Sequence, residues 1–215
     1  MKQAWIDKKE KERQAKLAKI MDTVREKLKS AENLMTRFIC YAIVGWLYEV
    51  VLWIFEQHQI MNRGFCFGPW LPIYGFGGIL LYYTIYQYAL KEQQIGPINI
   101  KPLLVCFIIA ASAATVELIS TYIMDMAGLD FHTLWSYDDY AINFQERIAF
   151  LPAIKFGILG CIIIYMAQDK IDMFLRSKDS RAVYLRYVLC FLFIIDVVIH
   201  LVKGSNYTDV PLFYL

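Results

Sequence analysis

The sequence has little of what metal binding and common catalytic chemistry use. It holds only three histidines in 215 residues. Its five cysteines stand singly at positions 40, 66, 106, 161 and 190, with no CxxC pair and an odd count. Four of them lie in apolar runs, where cysteine acts as a small hydrophobe. That excludes a disulfide framework and a zinc site. There is no G-x-x-x-x-G-K-[ST], so the chain does not bind ATP through a P-loop. HExxH and GxSxG are also missing, and there is no internal repeat. Net charge is only +2, which gives no sign of a nucleic-acid partner. No metal and no cofactor are expected.

What the sequence has in excess is apolar residues. They make up 58% of the chain, with aromatics at 16%, against about 45–50% apolar in soluble domains. This excess excludes a disordered chain and exceeds what an ordinary soluble domain can hide. The expected fold is all-α: a polytopic transmembrane bundle of about five spans, preceded by a cytoplasmic amphipathic helix.

Residues 1–37 form the first region, Lys-rich and free of Pro and Gly. Leu17, Met21, Val24, Leu28, Ala31 and Met35 alternate by four and three, giving one narrow apolar seam. Two roles fit it: a coiled coil or docking helix for a partner, or a helix resting on the lipid surface. Residues 38–215 form the second region. A span needs about 20 residues, and the apolar runs place spans at about 38–55, 73–90, 102–124, 148–167 and 183–202. The N-terminal arm and the 91–101 and 168–182 connectors are basic, whereas 125–147 is acidic. By the positive-inside rule the N-terminus is cytoplasmic and the C-terminus external, in a plasma membrane.

Ionisable residues inside spans are functional-site candidates. Glu49, Glu117, Lys155 and Asp196 all fall six or seven residues from the outer end of their spans. At about 1.5 Å per residue that is roughly 9–11 Å below the outer interface. The stripe Ala110, Ala113, Ala114, Ser120 and Thr121 shares the face of Glu117 and suits close helix packing. His200 lies one turn outward from Asp196 on the same face, which fits a structural hydrogen bond, a proton relay or half a metal site. The four charges fit either a polar cavity in the outer half of the bilayer or a structural ion-pair network.

Two outer connectors add candidates. Residues 61–78 (MNRGFCFGPWLPIYGFGG) carry seven Gly or Pro, which argues against regular helix through most of the segment, and Arg63 offers a bidentate donor. Residues 134–150 carry Trp135, Tyr137 and Tyr140, suited to the interface belt. Asn143 and Arg147 would lie one turn apart if the following helix begins early.

These residues resemble a bacterial family, the type IV ABC-transporter permeases of the CmpB type. The likeness rests on Gly45-Trp46-x-x-Glu49, Asn62-Arg63-Gly64-Phe65, Gly68-Pro69 and Pro72-Ile73-Tyr74-Gly75. It continues through Thr115-x-Glu117 with Ser120, then Trp135 and Tyr137, Asn143 with Arg147-Ile148, and Gly157. It covers about residues 38–165. Departures are Glu146, where the family carries Gly, the order Trp135-Ser136-Tyr137-Asp138, and Lys155 at a usually small or apolar position. The resemblance implies a membrane subunit with an ATPase partner.

Three functions follow as alternatives. The first is a permease-like or substrate-binding subunit, with Glu49, Asn62, Arg63, Tyr74, Glu117, Asn143 and Arg147 as ligand-binding residues. Lys155, Asp196 and His200 would be supporting intramembrane charges. Its partners would be the bilayer and an ATPase or other subunit through residues 1–37, or a second copy. The second is a membrane enzyme acting on a lipid-linked substrate, with carboxylates doing acid–base work. The third is a non-catalytic interaction protein that uses its N-terminal helix.

Overall fold

One helix sets the layout. In the computed structural model, which describes residues 2–61, 66–95, 97–133, 136–203 and 211–214, α1 runs unbroken from Lys2 to Gln57. The charged arm and the first apolar run are thus one rod. With no Pro, and no Gly before Gly45, it has none of the usual causes of a kink along its first 43 residues.

The remaining helices are α2 (Pro72–Thr84), α3 (Tyr86–Ala89), α4 (Lys101–Met126), α5 (Phe150–Ile162), α6 (Gln168–Arg176) and α7 (Ser180–Lys203). A π-helical turn at Ile163–Ala167 joins α5 to α6 without a break. Among the described residues, four helices are long and apolar enough to cross a membrane: Lys16–Phe55, Lys101–Met126, Phe150–Arg176 and Ser180–Val202. The segment 73–90 differs, because it is divided between α2 and α3 at Ile85. Backbone hydrogen bonds from Ile85 to Leu81 and from Ala89 to Ile85 carry the helical path across that joint.

Glycine-rich sequence proved compatible with helix. Pro72 opens α2, where its missing N–H costs nothing, and Gly75, Gly77 and Gly78 lie inside it. Gly75 lets the Phe38 ring sit against the α2 backbone, where a Cβ would come within 2.7 Å of the ring. Gly157 does the same between α5 and α4, since a Cβ there would meet the Cys106 carbonyl oxygen at 2.6 Å. Such small-residue contacts let helices approach closely.

Contacts fix the chain directions. Tyr74 lies against Gly45 while Tyr82 lies against Arg37, so α2 runs antiparallel to α1. Tyr48 meets Lys155, Tyr41 meets Gln168, and Arg37 meets Asp172, so α5–α6 also opposes α1. Glu32 meets Arg186 and Thr36 meets Cys190 at a constant offset, so α7 runs parallel to α1. The path is up, down, up, down, up. Short strand β1 (Gln59–Met61) follows α1, and β6 (Pro211–Tyr214) pairs with it antiparallel. The chain therefore returns, after its last helix, to the end of α1 opposite the N-terminus. Two more hairpins close the loops: β2 (Gln94–Ile95) with β3 (Ile98–Asn99), and β4 (Asn143–Phe144) with β5 (Ile148–Ala149).

Candidate functional site

The site is built first from α1 and α2. Gly45 and Glu49 are four residues apart and share one face of α1. The Tyr74 ring packs on Gly45, where any side chain would overlap it. That seat directs the Tyr74 hydroxyl to Glu49, which accepts its hydrogen bond. Tyr48, one residue earlier, donates to the Lys155 carbonyl at 2.8 Å and ties α1 to α5.

The second acid comes from α4. Glu117 accepts a hydrogen bond from the Tyr137 hydroxyl at 2.8 Å. Tyr137 is held over α4 by its own backbone, whose N–H donates to the Glu146 carbonyl at 3.0 Å. Burial and the negative charge of Glu117 push the Tyr137 phenol well above its ordinary range, so it stays a proton donor. The charge of Glu49 adds to that upward push on Tyr137. Glu49, Tyr74, Tyr137 and Glu117 thus make one electrostatic cluster drawn from α1, α2, α4 and the outer loop. The second Glu117 oxygen, Oε2, is buried and accepts no hydrogen bond among the described residues.

The other sequence candidates are placed apart from this cluster. Arg147 pairs with Asp125 at 2.5 Å, and its guanidinium stacks on Phe131 and Tyr122 at 4.3 and 4.7 Å. It clips the outer loop to the top of α4, about 12 Å along the helix from Glu117 at 1.5 Å per residue. Asn143 and Arg147 do not share a helical turn, because both belong to the β4–β5 hairpin and α5 starts only at Phe150. Asn143 staples that hairpin, donating to the Tyr140 carbonyl and accepting from the Glu146 N–H. Gln145 and Glu146 at its tip have φ of 53° and 61°. This is the left-handed region that favours glycine, so Glu146 holds its backbone there at a cost.

Asp196 is a loop anchor. It is buried and accepts from the backbone N–H groups of Phe67 and Gly68 and from the Trp70 indole, at 3.1, 2.7 and 2.6 Å. The His200 ring meets Phe67 edge-on. Lys155 is half-buried in α5. Asn62 and Arg63 lie outside the described residues. Two cavities lie away from the acids. A groove of about 840 Å³ is lined by apolar side chains of α1, α2 and α7. A smaller one of about 290 Å³ lies between α4, α5 and the hairpin.

Sequence reading missed the polar cluster at the opposite end. Gln168 is 1% exposed; it accepts from Tyr41 and donates to Asp172, which pairs with Arg37 at 2.7 Å. Nearby, buried Arg186 binds Glu32 and the carbonyls of Phe174, Leu175 and Ser177. Gln168 and Asp172 read as connector because the apolar run ends at 167, whereas Arg186 falls inside the 183–202 run and Glu32 and Arg37 in the arm. The helix continues to Arg176 through the π turn.

No curated protein and no solved structure matches the chain. One family model, described as "Putative ABC-transporter type IV", matches residues 36–201. That match takes in α1 from its membrane-entering half, both acids with their tyrosines, the outer hairpin and nearly all of α7. The chain is a multi-pass membrane protein and belongs to this ABC-transporter-like family.

Proposed function

We propose that the chain is a substrate-binding membrane subunit of a transport system, with its ligand site between Glu49 and Glu117. The ligand is a cation or the amine of a zwitterion. Glu49 and Glu117 attract it, Tyr74 and Tyr137 position the carboxylates, and Asn62 and Arg63 take its acidic group. Asn143 and Arg147 keep the outer loop in place. One observation carries the reading: both carboxylates are held by tyrosine hydroxyls within one cluster, and a Glu117 oxygen is buried without a hydrogen bond. Leaving such an oxygen unmet costs about 1–3 kcal/mol, which an arriving cation would offset.

In this reading the segment α2–α3 is the fifth crossing. The alternating chain directions support it, as does the return of β6 to the far end of α1, since an odd number of passes puts the termini on opposite sides. The basic arm is then cytoplasmic and the acidic loop external, in the plasma membrane. Five passes are few for a self-sufficient pathway, so a second subunit completes it.

The test is thermal stability of the purified full chain against sodium, choline, glycine betaine and, as an anion, succinate. A cationic or zwitterionic probe should raise the melting temperature of the wild type and leave Glu117→Gln unmoved. A response to succinate alone, or an equal response in the variant, contradicts the reading.

A further inference from the structure

We infer that the exposed seam of α1 is a self-association surface on which a second copy of this chain docks, the two α1 arms pairing as a parallel coiled coil from Leu17 to Met35. This goes beyond the ligand site and does not depend on what Glu49 and Glu117 bind.

The first support is the continuity of α1. Its 56 residues span about 84 Å at 1.5 Å per residue, against a hydrocarbon core of about 30 Å. An unbroken helix leaves the bilayer near the direction of its span, tilted on average about 20° from the normal. The arm therefore projects from the membrane instead of lying on it. Lipid is thereby removed as the cover for the seam, whose Leu17, Met21 and Leu28 are 51%, 65% and 67% exposed.

The spacing of 4-3-4-3-4 from residue 17 to 35 puts Met21, Leu28 and Met35 at one core position of the heptad and Leu17, Val24 and Ala31 at the other. The seam then enters the bundle. Ala31, Leu34, Met35 and Phe38 line the mouth of the large apolar groove, where Phe76 and Phe193 form its wall. Exposed apolar surface therefore runs without interruption from the arm into the groove.

Charge and geometry select the occupant. Two copies inserted alike present parallel arms at the same height. Flanking positions then meet as Ile20 with Arg25 and Lys27 with Glu32, in both directions. No pair opposes like charges, and Lys27 of a second copy would reach Glu32 from the side away from Arg186. An isolated seam this short is marginal, but two membrane-anchored copies have a high effective concentration.

The experiment uses the full chain in its membrane. Cysteine is introduced singly at Met21, Val24 or Leu28 on the seam, or at Lys19 or Glu26 on the opposite face, with the native cysteines kept and the parent chain as control. After oxidation the three seam variants should run as cross-linked dimers, while Lys19→Cys and Glu26→Cys stay at the parent level. By light scattering, the purified wild type should have twice the mass of one chain, falling by half in Met21→Glu/Leu28→Glu. Both side chains are largely exposed in the single chain, so its thermal transition should persist. A wild type of single-chain mass overturns the inference, as does equal cross-linking on both faces or a double variant that keeps its dimer mass. Another protein would then be the occupant.

Discussion

The two ends of the bundle treat buried polarity in opposite ways. Toward the N-terminal end of the α1 apolar run, two cations meet opposite charges: Arg37 with Asp172, and Arg186 with Glu32 plus three carbonyls, while Nη1 of Arg37 is buried without a hydrogen bond among the described residues. Toward the other end, Glu49 and Glu117 each take a hydrogen bond from a tyrosine, and one Glu117 oxygen takes none. A carboxylate paired with a buried cation is hard to release and has little left to offer a cationic ligand. A carboxylate held by one phenol still has lone pairs with which to accept. The first arrangement ties α1, α6 and α7 together; the second is where the proposed ligand would bind.

Breaking the ion-paired end should have the largest effect. Arg186→Ala strands Glu32 and uncaps the end of α6. Loss of one member of a buried pair costs about 3–5 kcal/mol, so we expect a lower denaturant midpoint of that order, with probe binding retained by the chain that remains folded. Gly45→Ala comes next. Its methyl group overlaps the Tyr74 ring, and overpacking of this kind costs about 1–3 kcal/mol. It should also lower affinity for a cationic probe, because Tyr74 can no longer reach Glu49 unshifted.

Opening the comparison from the other side, Glu117→Gln should keep the Tyr137 hydrogen bond while removing the charge. We expect stability within about 1 kcal/mol of wild type, or higher, with the probe response lost, as happens when a functional site carries a stability cost. Glu146→Gly removes a left-handed strain at the hairpin tip and should stabilise by about 0.5–1 kcal/mol, read as a higher melting temperature.

The smallest effect is a pH dependence of the outer loop. His132 bridges Asp130 and Glu146 at 2.7 and 3.2 Å. Its pKa is raised by Asp130 first and Glu146 second, and that of Asp130 is lowered by His132. The His132 contribution is fully present below its ordinary value of 6.5 and lost as pH rises through the raised one. The Asp130 contribution is present above its ordinary 3.8 and lost as pH falls through the lowered one. Amide exchange in residues 130–149, corrected for intrinsic rates, should therefore be slowest in mildly acid solution. His132→Gln should flatten the profile.

Much of this was legible in the sequence. Long apolar runs announced about five spans, of which four are helices long and apolar enough to cross a membrane among the described residues, and shared depth singled out Glu49 and Glu117 together with Lys155 and Asp196. Tyr74 was legible only through the family resemblance, in Pro72-Ile73-Tyr74-Gly75; its seat on Gly45 is visible only in the fold. Tyr137 was visible as an interface aromatic, but its partner was not, since a loop that folds back leaves no periodicity. Asp196 looked like a member of the charge set; only tertiary structure reveals that Phe67, Gly68 and Trp70 spend its lone pairs. Gln168 and Asp172 were misplaced because polarity inside a helix reads as a span end, and a π turn leaves no mark in composition.

The most direct measurement is a ligand-bound structure of the purified chain with the probe that most raises its melting temperature. The tyrosine-held acids predict density between Glu49, Tyr74, Glu117 and Tyr137, with the Glu117 Oε2 atom in contact with the bound group. A closed cluster there, with the probe seated instead in the apolar groove beside Phe38 and Phe76, would contradict the central claim.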